Sequence, residues 1–357
     1  MSVLDVARHM LTQAGVTATP SSFVLTPLTG GRTGASVTRV ATDAGSYVLK
    51  VLAARTWRDG ALERIFAGEG PLWLASVTRD LPDPLACPML AAERGPDGAW
   101  WMLMRDVSPG IRPWGSFSDE DERTFLAAIA RLHARWWDRP ELAGLELLTM
   151  AETIRMWSVP LAAFLCREQA AAPPWVRAFL ADFTPLATLA PKFVELAGQD
   201  DAAFYVDLVR DTGWQRGLDE GPQTLVHGDL RRANISFESQ GRVTLIDWEF
   251  AGRGPGVVDL GHHWFLHFWA YPNGGREPHD RPDLQEFYVE ALQTELGHAI
   301  DRRQFARQWD LAWLKAFVGL GFCLADAACG DDVPPEKVEM ARERCRRALA
   351  RARQIMG

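Results

Sequence analysis

The sequence predicts an α+β protein of two lobes, a small antiparallel β lobe carrying one main helix and a larger, mostly helical lobe. Three observations predict it. The 357 residues exceed the usual length of one domain. Residues 23 to 52 alternate β-branched and apolar side chains around glycines. After Asp106 the apolar residues fall at helical spacing and the segments lengthen into stretches rich in Ala, Leu and Arg.

Met1 to Val16 sets Asp5, Arg8 and His9 among apolar residues, the pattern of a short amphipathic helix and not of a secretory segment. FVLTPL, the glycine-rich TGGRTGAS (Thr29–Ser36), VTRVAT, a DAG turn and SYVLKVL then read as strand, loop, strand, turn and strand. Residues 60 to 79 look helical, and WWMLM (Trp100–Met104) is a short apolar strand. Phe125, Ile129, Leu132 and Trp136 open the helical part. Within it, residues 224 to 250 form a compact β insertion, and Pro173-Pro174 and the Gly/Pro/Asn cluster at 271 to 278 read as loops. Arg342 to Arg353 reads as the exposed face of a last helix.

Composition narrows the function. Hydrophobic residues make up 47% and charged ones 24%, an ordinary globular balance that argues against long disorder. The net charge of −8 is spread along the chain, which disfavours a nucleic-acid partner. Five cysteines without CxxC spacing suggest neither a disulfide framework nor a zinc site and fit a reducing cytoplasm. No uninterrupted apolar run nears the roughly 20 residues that span a bilayer, so no membrane partner is expected. Nothing signals an oligomeric state.

The strongest chemical signal is the run from Leu225 to Ile235, LVHGDLRRANI, followed by VTLIDWE ending at Glu249. Ile235 to Glu238 and Arg242 to Ile246 read as two short strands joined by Ser239-Gln240-Gly241, which brings Asn234 and Asp247 to the open end of one hairpin. One carboxylate and one amide oxygen suit Mg2+, which takes few protein ligands and completes its shell with phosphate and water. Asp229, five residues before Asn234, is placed to accept the proton of a substrate hydroxyl.

These residues resemble a family. The HxD-x-x-x-x-N pattern with its later Asp matches the kinase catalytic set, and the HGD form is similar to the aminoglycoside phosphotransferase and choline kinase group, small-molecule kinases of protein-kinase-like fold. The likeness extends to TGGRTGAS as nucleotide loop, YVLKVL, MLMRDVS as hinge, IARLHARWW as the following helix, and VVDLG, over residues 20 to 270 or so. It implies a nucleotide-binding lobe at 1–105, a hinge at about 104–108 and a lobe at 109–357 holding the catalytic loop and acceptor site, with the nucleotide between them. It implies ATP or GTP as donor and a small hydroxylated molecule as acceptor. It further implies that Gly30 and Gly31 belong to the nucleotide loop, that Lys50 contacts phosphates and that Glu69 pairs with it, with Glu63 a rival. Met104, Arg105 and Val107 would meet the base of the nucleotide, Asp259 would brace the catalytic loop, and His227 would order it. The loop departs from GxGxxG, and IDWEF replaces the DFG triad, which argues against a protein substrate. A catalytically silent nucleotide-binding scaffold is the alternative, although such a protein need not keep the base, both metal ligands and Lys50.

Other residues admit blander readings. His263 and His267 stand four apart beside His262, but no carboxylate or thiol partner is indicated, so packing or substrate contact is favoured over zinc. Trp264 and Trp269 read as core before cleft wall. Arg231 reads equally as a phosphate neutraliser and as a solvated or loop-bracing cation.

Overall fold

Alternating side chains in residues 24–28 and 36–52 build three strands of the first sheet. The computed structural model describes residues 1–19, 21–28, 35–52, 68–113, 116–145, 147–271, 279–330 and 332–357. Gly30, Gly31 and Glu63, and the cluster at 272–278, lie outside the described residues. Val3–Gln13 (α1) precedes Val24–Leu28 (β1), Ser36–Thr42 (β2) and Gly45–Leu52 (β3). Then come Glu69–Leu74 (α2), Leu85–Ala86 (β4), Met89–Arg94 (β5) and Trp100–Arg105 (β6). The sheet order is β1-β2-β3-β6-β5, with Lys50 opposite Val37 and Met102. The two-residue period sends Leu49 and Leu103 into a core with Trp101, Met10 and Leu11 beneath α1, and turns Lys50 to the other face. The helix expected over 60–79 is, in its described part, the six residues of α2 followed by turns.

The chain divides into two compact units, residues 1–113 with 232–250, and 114–231 with 251–357. The sequence assigned the hairpin around residue 240 to the later lobe, whereas compactness groups it with the first unit. The reason is pairing: β4 runs parallel to Val243–Leu245, Ile111 bridges Ser236, and Arg105 grips Glu238 at 3.0 and 3.2 Å. The hairpin itself is Ile235–Phe237 against Val243–Leu245, turned at Ser239–Gly241 with Gln240 at φ 64°.

The second unit begins with Asp119–Arg135 (α3), opened by a Ser118–Asp121 capping box and four acidic residues that suit the helix dipole. Phe125, Ile129 and Leu132 are wholly buried along it. Met150–Leu165 (α4), Pro174–Asp182 (α5), Thr184–Ala197 (α6) and Gln199–Arg210 (α7) follow. The expected loop at Pro173-Pro174 is instead the start of α5, because proline fits the first helical turn. Leu148–Thr149, Thr224–Val226 and Gly252–Gly254 form a small three-stranded sheet. Val257–Trp264 (α8) runs into a π-helical turn at Phe265–Ala270. Pro282–Leu296 (α9) packs on α3, and Arg302–Leu320 (α10) on α8, before Pro335–Met356 (α11).

The α8–α10 contact is tight because Gly261 has no side chain. A Cβ there would lie 2.8 Å from the backbone of Ala312. Trp264 packs on Trp309 and Trp269 on Trp313, with ring centroids 4.6 and 5.0 Å apart, so both tryptophans are core. Arg302–Ala328 is long and apolar enough by length and composition to cross a membrane, yet Asp310, Lys315 and Asp326 interrupt it, as the sequence predicts, and 83% of its apolar window is buried within the protein, as in a core helix. In α11, Arg342 and Arg346 are exposed, whereas Arg344 is buried and Arg351 lies over Trp313.

Candidate active site

In the first unit a polar cluster is organised around Lys50. Its Nζ lies 2.8 Å from Glu69 Oε2, 2.6 Å from Asp247 Oδ1 and 3.6 Å from Glu249 Oε2. Strand β3 supplies the lysine, the first residue of α2 supplies Glu69, and the end of the hairpin supplies Asp247. Burial by itself would pull the ammonium down, but Asp247, Glu69 and Glu249 outweigh it and hold it well above its ordinary value. Of the two glutamates named as partners, Glu69 makes the contact. Glu249 was missed, although it stands two residues after Asp247 in IDWEF.

Asn234 and Asp247 flank the hairpin as the alternation predicts. The Ile246 N–H donates to the Asn234 carbonyl at 3.1 Å, closing the ladder immediately before Asp247. Asp247 adopts φ 69°, the left-handed region that an aspartate seldom occupies and that costs roughly 1 kcal/mol or more. An amide oxygen and a carboxylate make a hard-oxygen donor set, and three carboxylates around one ammonium leave an excess of negative charge. That arrangement suits a hard divalent cation. On the 104–107 segment, the Arg105 N–H donates to the Pro88 carbonyl and the Val107 carbonyl accepts from the Ser236 hydroxyl.

In the second unit a separate cluster is organised around Asp259. Its carboxylate accepts the N–H groups of His227 and Gly228, both at 2.8 Å, and His133 Nε2 lies 3.3 Å away. Tyr288 Oη holds the other ring nitrogen of His133 at 2.7 Å. Gly228 has φ 84°, which explains a glycine between His227 and Asp229. Burial would raise the Asp259 carboxyl, but His133, His227 and the loop amide hold it below its usual range. His227 Nδ1 accepts the Asp229 N–H at 3.3 Å. The loop carrying Asp229 is therefore fixed through Asp259.

The Asp229 carboxylate is 16% exposed, with His262 Nε2 3.1 Å from Oδ1 and Arg231 Nε 3.3 Å from Oδ2. Burial pushes its carboxyl up, yet His262, Arg231 and His227 outweigh this and hold it at about 2. Burial in turn lowers His262, with Asp229 opposing. Arg231, for which two readings stood open, lies on the aspartate. The sequence points only to packing or substrate contact for His262 and to no role of its own for His133, and their partners stand 33 and more residues away along the chain.

A second group surrounds His263. Its ring stacks on His267 at 4.3 Å, and its Nε2 lies 3.0 Å from Glu122 Oε2, with donor atoms of all three residues within 4.8 Å of one another. Glu122, on α3, is the carboxylate that the sequence did not indicate. All three are buried, with Phe117 and Phe125 against the rings.

Known structures share this architecture. The chain is similar to choline kinase from Cryptosporidium parvum Iowa II, at 10% identity and TM-score 0.54, over 99% of this chain and 95% of that one. It is also similar to a microcompartment-associated aminopropanol kinase, at 17% identity and TM-score 0.51, over 99% and 97%. For an amicoumacin kinase the values are 13% and 0.51, over 96% and 93%. Identities this low establish the α+β protein-kinase-like fold. No curated protein matches the sequence. The family model described as "Phosphotransferase enzyme family" matches residues 24–304, a span that holds Lys50, the Asp229 loop, the hairpin and Asp259, and by that match the chain belongs to this family of phosphotransferases.

Proposed function

We propose that the chain transfers the γ-phosphoryl group of ATP, or of GTP, to the hydroxyl of a small molecule, using Mg2+. The observation that carries this reading is Asp229, an ionised and partly exposed carboxylate on a loop fixed through Asp259, five residues before Asn234. Asp229 accepts the hydroxyl proton as the acceptor oxygen bonds to phosphorus, and the bond to the leaving diphosphate breaks with its electron pair. A carboxyl held at about 2 is a weak base. Phosphoryl transfer asks chiefly for position and charge neutralisation, so an oriented acceptor of the proton suffices.

Lys50, steadied by Glu69, orients the phosphates, and Asn234 and Asp247 would hold the metal, which when bound neutralises phosphate charge. The 104–107 segment, with Met104, Arg105 and Val107, meets the nucleotide base, and Gly30 and Gly31 belong to its loop. Asp259 and His227 hold the loop. The amicoumacin kinase structure contains AMP-PNP and Ca2+, a nucleotide and a divalent cation together, which supports the donor and metal assignment. Cys87, Cys166, Cys323, Cys329 and Cys345 are all free thiols, in keeping with a cytoplasmic protein.

The test is release of nucleoside diphosphate from Mg-ATP and Mg-GTP across a panel of hydroxylated acceptors, with Asp229→Asn as control. Acceptor-dependent release that falls about a thousandfold or more in the variant supports the assignment. Turnover retained by Asp229→Asn overturns the base, and nucleotide binding without turnover on any acceptor points to the silent scaffold.

A further inference from the structure

Lysine is rare in this chain. Of 38 Lys and Arg residues only Lys50, Lys192, Lys315 and Lys337 are lysines, and two of the four are buried, Lys50 at 7% exposure and Lys315 at 9%. Lys50 has three carboxylates. Lys315, on α10, has no hydrogen bond or ion pair to any described residue. A largely buried ammonium with no contact partner, drawn only at a distance by Asp259 and Asp229, is costly, and a chain that otherwise favours arginine has placed one here.

The surroundings of Lys315 give it a direction. The close approach at Gly261 sets α10 against α8, and Lys315 lines a cavity of about 20 Å³ with Thr153, Trp157, Gly228 and His262. Gly228 immediately precedes Asp229, and His262 lies against the Asp229 carboxylate. The cavity therefore adjoins the proposed base. Its volume admits about one water-sized group, an oxygen atom and not a whole ligand. A lysine ammonium is a compact donor that suits so small a space better than a guanidinium fork. Among the described residues no carboxylate side chain lines the cavity, so a cationic group entering it would meet the Lys315 ammonium directly, with Asp229 and Asp259 acting only from beyond the lining.

We propose that this cavity is part of the acceptor site and that the acceptor carries a carboxylate, bound by Lys315, in addition to the hydroxyl that faces Asp229. The substrate class is then hydroxy carboxylic acids in preference to amino alcohols. This rests on the kinase reading above. The charged and titratable groups facing Lys315 are Asp229 and Asp259, which favour its ammonium, and His262. Burial lowers its amine to about 8 against the pull of those two aspartates, so at neutral pH it is largely protonated and ready for an anion.

The experiment uses full-length protein labelled with lysine carrying 13C at Cε, which gives four resonances; Lys315 is identified by the signal lost in Lys315→Gln. Sodium glycerate, 3-hydroxybutyrate and gluconate are titrated against their amides and against amino alcohols of matched length. A saturable shift of the Lys315 signal with the carboxylates alone, and a titration midpoint moved up from about 8 by a unit or more, is the expected result. With Mg-ATP, Lys315→Gln should raise KM for the carboxylate acceptor tenfold or more with kcat within threefold, and erase its preference over the amide. If no carboxylate moves the signal, or if amino alcohols are phosphorylated with a KM that Lys315→Gln leaves unchanged, the proposal is overturned while the kinase reading stands. If the signal responds to carboxylates but no acceptor is turned over, the anion site stands and the kinase reading falls.

Discussion

Two buried lysines, one in each unit, have nearly equal exposure and opposite electrostatics. Lys50 is held charged by Asp247, Glu69 and Glu249, whereas Lys315 is lowered by burial with no ion pair of its own. Depth alone does not set the proton affinity of a side chain. What decides it is whether the fold brings counter-charges within a few ångströms to offset the lost hydration.

The same substitution should therefore act in opposite directions. Lys50→Met leaves three carboxylates without their cation and should cost about 3–5 kcal/mol in urea unfolding. An unchanged midpoint would dissolve the contrast. Lys315→Met removes an unpaired charge and should stabilise the protein by about 1–3 kcal/mol at pH 7.

The pH dependence sharpens that second case. The folded state holds the Lys315 amine at about 8, below its unfolded value of about 10.4. Between those values the unfolded chain binds more protons, so wild-type stability gains with rising pH. The advantage of Lys315→Met is thus full below pH 8 and should close by about pH 10.4. A constant gap across that window would mean that the amine is not lowered. Smallest of the series is Gly261→Ala, whose methyl group would press on the Ala312 backbone and should cost about 1–2 kcal/mol, with little change at Lys50.

Local pattern made much of this legible. The alternation around Ser239-Gln240-Gly241 foretold the hairpin that ends at Asn234 and Asp247, because both strands and their turn lie within a dozen residues. The spacing of Phe125, Ile129 and Leu132 foretold the buried face of α3. Contacts that close over long sequence separations were not legible. His133 meets Asp259 across 126 residues and Glu122 meets His263 across 141, and no periodicity encodes either meeting. The parallel pairing of β4 with Val243–Leu245, which draws the hairpin into the first unit, was hidden for the same reason. Lys315 was silent because a lysine in an apolar helix reads as a surface residue until its burial is known.

The amides of His227 and Gly228 have a consequence for motion. Both are buried from water by a carboxylate that is itself wholly buried and held by His133 and Tyr288. Such N–H groups exchange with deuterium only when the structure around them opens, so their exchange should be among the slowest in the chain. Asp229 then rides on an element that does not breathe independently of its core. Any rearrangement that turnover requires has to be found in parts of the chain that loosen more cheaply.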